Sequence, residues 1–139
     1  MPTAADEVLD LNRRLLAAIA GGDWSGYCQL VADDITCFEP EARGHLVEGL
    51  PFHEFYFKLP SPAPEGKAPA PARPVTTTMA SPTVKLLSTD VALVAYVRLT
   101  QTLDEAGKPV TRTSEETRLW QRRDGRWKHV HFHRSLPGS

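Results

Sequence analysis

The sequence predicts an α+β fold, with helices first and an antiparallel sheet after them. Two observations carry this. Up to about residue 57 apolar residues recur at helical spacing, and from Val75 onward they alternate with a period of two. A proline-rich stretch separates the two halves, and helices followed by a run of strands pack as one layer upon another.

Thr3 suits an N-cap, with Asp6 and Glu7 in the first turn where the helix dipole favours anions. Val8, Leu11, Leu15, Ala18 and Ile19 then mark an amphipathic helix over residues 4–20, stopped by Gly21-Gly22. Asp23 caps a shorter helix whose apolar side holds Trp24, Tyr27, Leu30 and Val31. A brief strand runs from Ile35 to Phe38 and ends at Glu39-Pro40, and Leu46-Val47 adds a small second one. Pro51 fits the first position of a third, aromatic helix with Phe52, Phe55, Tyr56 and Leu59, on which His53 lies.

Residues 60–74 hold six prolines among Ala, Ser, Gly and Lys, so they bury little and read as a connecting loop. A strand broken near Ser81-Pro82 follows from Val75 to Leu87, and a longer one from Asp90 to Leu103. Val110–Arg122 and Arg126–Ser135 form a hairpin about Asp124-Gly125, because glycine accepts the positive φ of a tight turn. Strict alternation puts Glu116, Arg118 and Trp120 on one face. On the second arm it puts Val130, Phe132 and Arg134 on one face and His129, His131 and His133 on the other. Arginine among aromatic and aliphatic residues on a strand face suggests cations set into a lined cavity.

The totals bound the function. A chain of 139 residues, 41% hydrophobic and 24% charged, fits a single domain over residues 1–139. A net charge of -1 gives no field for nucleic acid or an anionic membrane, and Glu115, Glu116 and Asp124 interrupt the basic hairpin. No apolar run approaches the about 20 residues of a membrane span, and acidic residues interrupt any signal-peptide pattern, so a cytoplasmic protein is expected. Cys28 and Cys37 show no metal-binding spacing. Three alternate histidines on a strand span roughly 13 Å, too far for one tetrahedral metal ion, so neither metal nor cofactor is expected. Apolar groups on both faces of residues 91–100 predict self-association through the sheet.

Longer motifs sharpen this. G-D-W-S-G-Y at 22–27, F-E-P-E-A at 38–42, L-V-E-G-L-P-F-H-E-F-Y-F at 46–57, Y-V-R-L-T-Q at 96–101 and S-E-E-T-R-L-W-Q-R-R-D-G-R-W at 114–127, followed by V-H-F-H-R-S at 130–135, cover nearly the whole chain. The sequence resembles the association (hub) domain of calcium/calmodulin-dependent protein kinase II, within the NTF2-like/SnoaL-like superfamily. The resemblance implies a cone of helices packed in a strongly curved antiparallel sheet, homodimers and often rings of dimers, and a deep pocket for small carboxylates. It implies that His53, Arg98, Arg118 and Arg134 line that pocket. No G-x-G-x-x-G loop and no H-R-D motif is present, so the expectation is a stand-alone association domain without kinase chemistry. The longer Pro/Ala loop departs from the kinase hub beside the pocket.

The residues give the pocket its own rationale. Arginine pairs with carboxylate bidentately, and converging arginines need an anion between them. Glu116 shares a strand face with Arg118 and is the candidate internal partner; a buried Arg/Glu network that binds nothing is the competing reading. The alternative function is an isomerase- or cyclase-like enzyme of the same superfamily, with His53 as base and Tyr27 or Tyr96 donating a hydrogen bond. No catalytic residue is assigned beyond that candidate base.

Overall fold

A computed structural model describes residues 2–58 and 75–137. The loop expected at 60–74 lies outside the described residues.

Helix α1 spans Ala4–Gly21 and opens on a reciprocal cap. Thr3 Oγ1 accepts from the Asp6 amide at 3.1 Å, while the Thr3 amide donates to Asp6 Oδ2 at 3.1 Å. Such a cap contributes about 1 kcal/mol. Gly22 closes the helix at φ 66°, a left-handed conformation that glycine adopts without a Cβ clash. Asp23 then caps α2, Trp24–Leu30, through the Gly26 amide at 3.0 Å. Strand β1, Val31–Phe38, follows directly and starts earlier than the apolar pattern indicates, because Asp33 and Asp34 point outward and break the alternation. Strand β2 is Val47–Glu48, and α3, Pro51–Phe57, begins on its proline as expected.

Strands β3 (Thr76–Ser88), β4 (Val91–Leu103), β5 (Pro109–Arg123) and β6 (Arg126–Ser135) complete a sheet ordered β2-β1-β6-β5-β4-β3. The sheet is not wholly antiparallel. β1 and β6 run parallel, which no hairpin forbids because they come from opposite ends of the chain. The break expected near Ser81-Pro82 is a local irregularity within β3. Ser81 takes φ 51° and the register shifts between Ala80 and Thr83, so a bulge absorbs Pro82 without ending the strand.

A second bulge changes the reading of the hairpin. Trp120 pairs with His129 but Leu119 pairs with His131, so one extra residue, Val130, sits in β6. His129 therefore faces the same way as Trp120, fully buried, with its ring stacked 5.5 Å from Phe132. The three histidines do not share a face. His131 and His133 remain on the opposite side, each beside Phe38, and His131 Nδ1 lies 2.7 Å from Thr36 Oγ1.

α1 lies over β3 and β4. Val8, Leu15 and Leu16 of the helix share one core with Tyr27, Ile35, Val94, Trp120 and Phe132. The one fully buried polar side chain of α1, Asn12, accepts a hydrogen bond from Trp120 Nε1 at 3.0 Å, which fixes the helix against β5. On β4 the inner residues Ala92, Val94 and Tyr96 are buried, while Val91, Leu93 and Ala95 are half-buried and Val97 is exposed on the outer side.

Candidate functional site

Strand alternation builds the site. Arg98 on β4, Ser114, Glu116 and Arg118 on β5, and Phe132 and Arg134 on β6 all face inward, and Glu116 stands opposite Tyr96 on one side and Arg134 on the other. From the other direction α3 brings His53 and Phe57, α2 brings Tyr27, and the turn after β1 brings Glu39 and Glu41. Together with Ile19 and Tyr56 these groups, apart from Ser114 and Glu116, line a cavity of about 250 Å³. Tyr27 and Phe57 form its aromatic wall, their ring centroids 4.9 Å apart.

Five of the seven residues singled out from the sequence line this cavity: Tyr27, His53, Arg98, Arg118 and Arg134. The other two, Tyr96 and Glu116, stand behind it. Tyr96 Oη donates to Glu116 Oε1 at 2.7 Å and itself accepts from Arg118 Nε at 2.8 Å, so it serves the internal network instead of facing a ligand. Glu116 also accepts from Ser114 Oγ at 3.0 Å and from Arg118 Nη2 at 2.8 Å, and pairs with Arg98 Nε at 3.0 Å. Burial alone would raise the Glu116 carboxyl, but Arg118 and Arg98 overcome burial and hold it down at about 2. Burial equally opposes the Arg118 charge, and Tyr96 and Glu116 keep it protonated.

Arg118 is not satisfied by this network. It is 1% exposed and lies over the Phe132 ring, its Cζ 4.4 Å from the centroid. Its Nη1 is buried with no hydrogen-bond partner among the described residues. Leaving such a donor unmade costs about 1–3 kcal/mol or more for a charged group. Arg134 pairs instead with Glu41.

Glu39 and Glu41 were missed by the sequence reading as site residues. They sit on an irregular turn with no periodicity, although the F-E-P-E-A block containing them was conspicuous. The Glu39 carboxyl is raised by burial and then by its neighbour Glu41. It faces His53 Nδ1 at 3.9 Å, while His53 Nε2 lies 3.7 Å from Cys37 Sγ. Cys37, Glu39 and His53 thus place ligating atoms within 4.8 Å of one another. The thiol and the carboxylate lie at opposite ring nitrogens, and the positive charge of Arg118 acts on all three groups, which disfavours a metal cation there. Burial, with Arg118, lowers His53 to about 4, which makes it a neutral and weak base near pH 7. Burial pushes Cys37 up to about 12, so the thiolate needed for nucleophilic attack is disfavoured.

Residues 4–138 match the family described as the calcium/calmodulin dependent protein kinase II association domain. The chain belongs to that family. Among individual association-domain relatives, it is 45% identical over 129 residues to the delta subunit of rabbit (Oryctolagus cuniculus) calcium/calmodulin-dependent protein kinase type II, covering 93% of this chain and 23% of the relative. The chain therefore spans about a quarter of that kinase's length. Its fold matches the structure of a hub homology domain from Chlamydomonas reinhardtii at TM-score 0.88 and 51% identity, over 96% of this chain and 98% of the other. A more distant NTF2-like superfamily protein from Salmonella enterica shares the fold at TM-score 0.71 and 18% identity, over 97% and 92% of the two chains. The association-domain fold is thus NTF2-like, and no helix among the described residues is long and apolar enough to cross a membrane.

Proposed function

We propose that this association domain is a self-assembling protein whose cavity binds a small carboxylate. The observation that supports the ligand most strongly is the buried, unpartnered Nη1 of Arg118 in a cavity that Arg134 and Arg98 also line. A carboxylate oxygen supplies the acceptor that Nη1 lacks, and a charge-assisted bond there is roughly twice as strong as a neutral one. The volume of about 250 Å³ suits a compact acid, and Ile19, Phe57 and Phe132 offer an apolar wall to its carbon chain. Neutral His53 and the Tyr27 hydroxyl are among the polar groups left to meet a second substituent.

Self-assembly rests on the outer face of the sheet. Leu93 and Leu119 are adjacent across β4 and β5, half-buried in the single chain, and Val97 is exposed nearby. The rabbit and algal relatives are an association-domain-bearing kinase subunit and a hub homology domain, which supports the same reading. Light scattering on the purified chain tests assembly, and a monomer at micromolar concentration refutes it. A thermal scan with and without millimolar acetate or malonate tests the ligand, because a molecule that binds only the folded state raises the melting temperature. An unchanged transition at 100 mM ligand refutes it.

A further inference from the structure

The three cavity arginines are held in two different ways. Arg98 and Arg118 share Glu116, whose side chain is 0% exposed and is fixed further by Tyr96 and Ser114. Arg134, on the strand beside them, is paired with Glu41. The Glu41 side chain is 39% exposed and projects from the short turn Pro40–Ala42, not from a strand. Both Glu41 and Arg134 line the cavity.

Resting on the carboxylate-pocket reading above, we propose that Glu41 is a displaceable counter-anion that occupies Arg134 until a ligand carboxylate takes its place. Moving Glu116 would leave two buried guanidinium groups uncompensated. Moving Glu41 only returns a partly hydrated carboxylate to water. A ligand carboxylate between Arg118 Nη1 and Arg134 gains the unpartnered donor and substitutes for Glu41 at the second arginine, so the charge on Arg134 is never left bare. Full negative charge then becomes the entry requirement. An amide of the same shape reaches Nη1 but cannot replace a carboxylate on Arg134. Glu41 therefore sets both the affinity and the selectivity of the cavity for anions.

The test is calorimetric titration of acetate and of acetamide into the full chain and into its Glu41→Gln and Glu41→Asp variants. Removing the competing charge tightens acetate binding by roughly 1.5- to fivefold in Glu41→Gln, the range expected of a partly exposed ion pair. Glu41→Asp, which keeps the competing charge, stays near the native affinity, and acetamide binds none of the three. Acetate that binds the native chain as tightly as or more tightly than Glu41→Gln overturns the counter-anion role while leaving the carboxylate pocket intact. Absence of acetate binding in every protein overturns the pocket reading together with it.

Discussion

Arg118 and Glu116 lie two residues apart on one strand, both at most 3% exposed, and touch at 2.8 Å. Alternation aims both side chains inward, so folding buries a charge pair whose desolvation must be offset within the protein. Tyr96, Ser114 and Arg98 complete that compensation. Glu116→Ala leaves Arg98 and Arg118 without their shared carboxylate and is expected to destabilise the fold by about 3–5 kcal/mol. Urea unfolding measures it, and a loss below about 1 kcal/mol would show that the pair is not a structural element.

Asn12 and Trp120 provide an independent check on how the helix is held. Asn12→Ala removes the acceptor of a fully buried indole N–H, with an expected cost of about 1–3 kcal/mol. Asn12 does not line the cavity, so acetate affinity should change by much less than stability in this variant. Urea midpoints together with one titration read both effects.

Stability should fall in mild acid. The folded protein holds His53 neutral, lowered from 6.5 to about 4, and holds His129 lowered in the same direction, both through burial first and Arg118 second. The unfolded chain takes up these protons below about pH 6.5 and the folded chain does not. Their contribution is therefore complete above pH 6.5 and is lost as pH falls toward 4. His53 alone accounts for about 2 kcal/mol between pH 7 and pH 5. Denaturant unfolding at fixed protein concentration at these two values should show at least that drop, with a shallower one in His53→Gln. Equal stability at both values would mean that His53 is protonated in the folded state.

The bulge at Val130 gives a prediction about register. Deleting Val130 removes the extra residue and leaves Leu119 opposite His131 and Trp120 opposite His129, so His129 stays in the core and only the local bend of β6 is lost. The variant should keep cooperative unfolding, at a cost of about 0.5–3 kcal/mol, and keep Trp120 shielded from solvent quenching. Loss of cooperative unfolding or exposure of Trp120 would mean that the bend made by Val130 is required to close the core.

The same bulge marks where sequence reading stops. Period-two alternation places Glu116, Arg118 and Trp120 on one buried face, and the caps Thr3 and Asp23 together with Pro51 in the first turn of α3 place the three helices. An inserted residue in a strand carries no turn signal, so plain alternation puts His129 on the wrong side. Glu39 and Glu41 escaped for a related reason, since a turn has no period from which to read direction. Tyr96 was placed on the correct face, but only the distances reveal that its hydroxyl is committed to Glu116 and Arg118. The pairing of Arg134 with Glu41 instead of Glu116 likewise depends on side-chain reach across elements far apart in the chain.

The carboxylate pocket is tested most directly by titrating acetate into the native chain and into Arg134→Gln. Arg134 is the better choice for removal because Arg118, at 1% exposure, is bound into the internal network. The account predicts saturable binding to the native chain, at least tenfold weaker binding to Arg134→Gln, and the same particle mass by light scattering for both. Equal affinity in the two proteins, or no heat from the native chain at millimolar acetate, would contradict it.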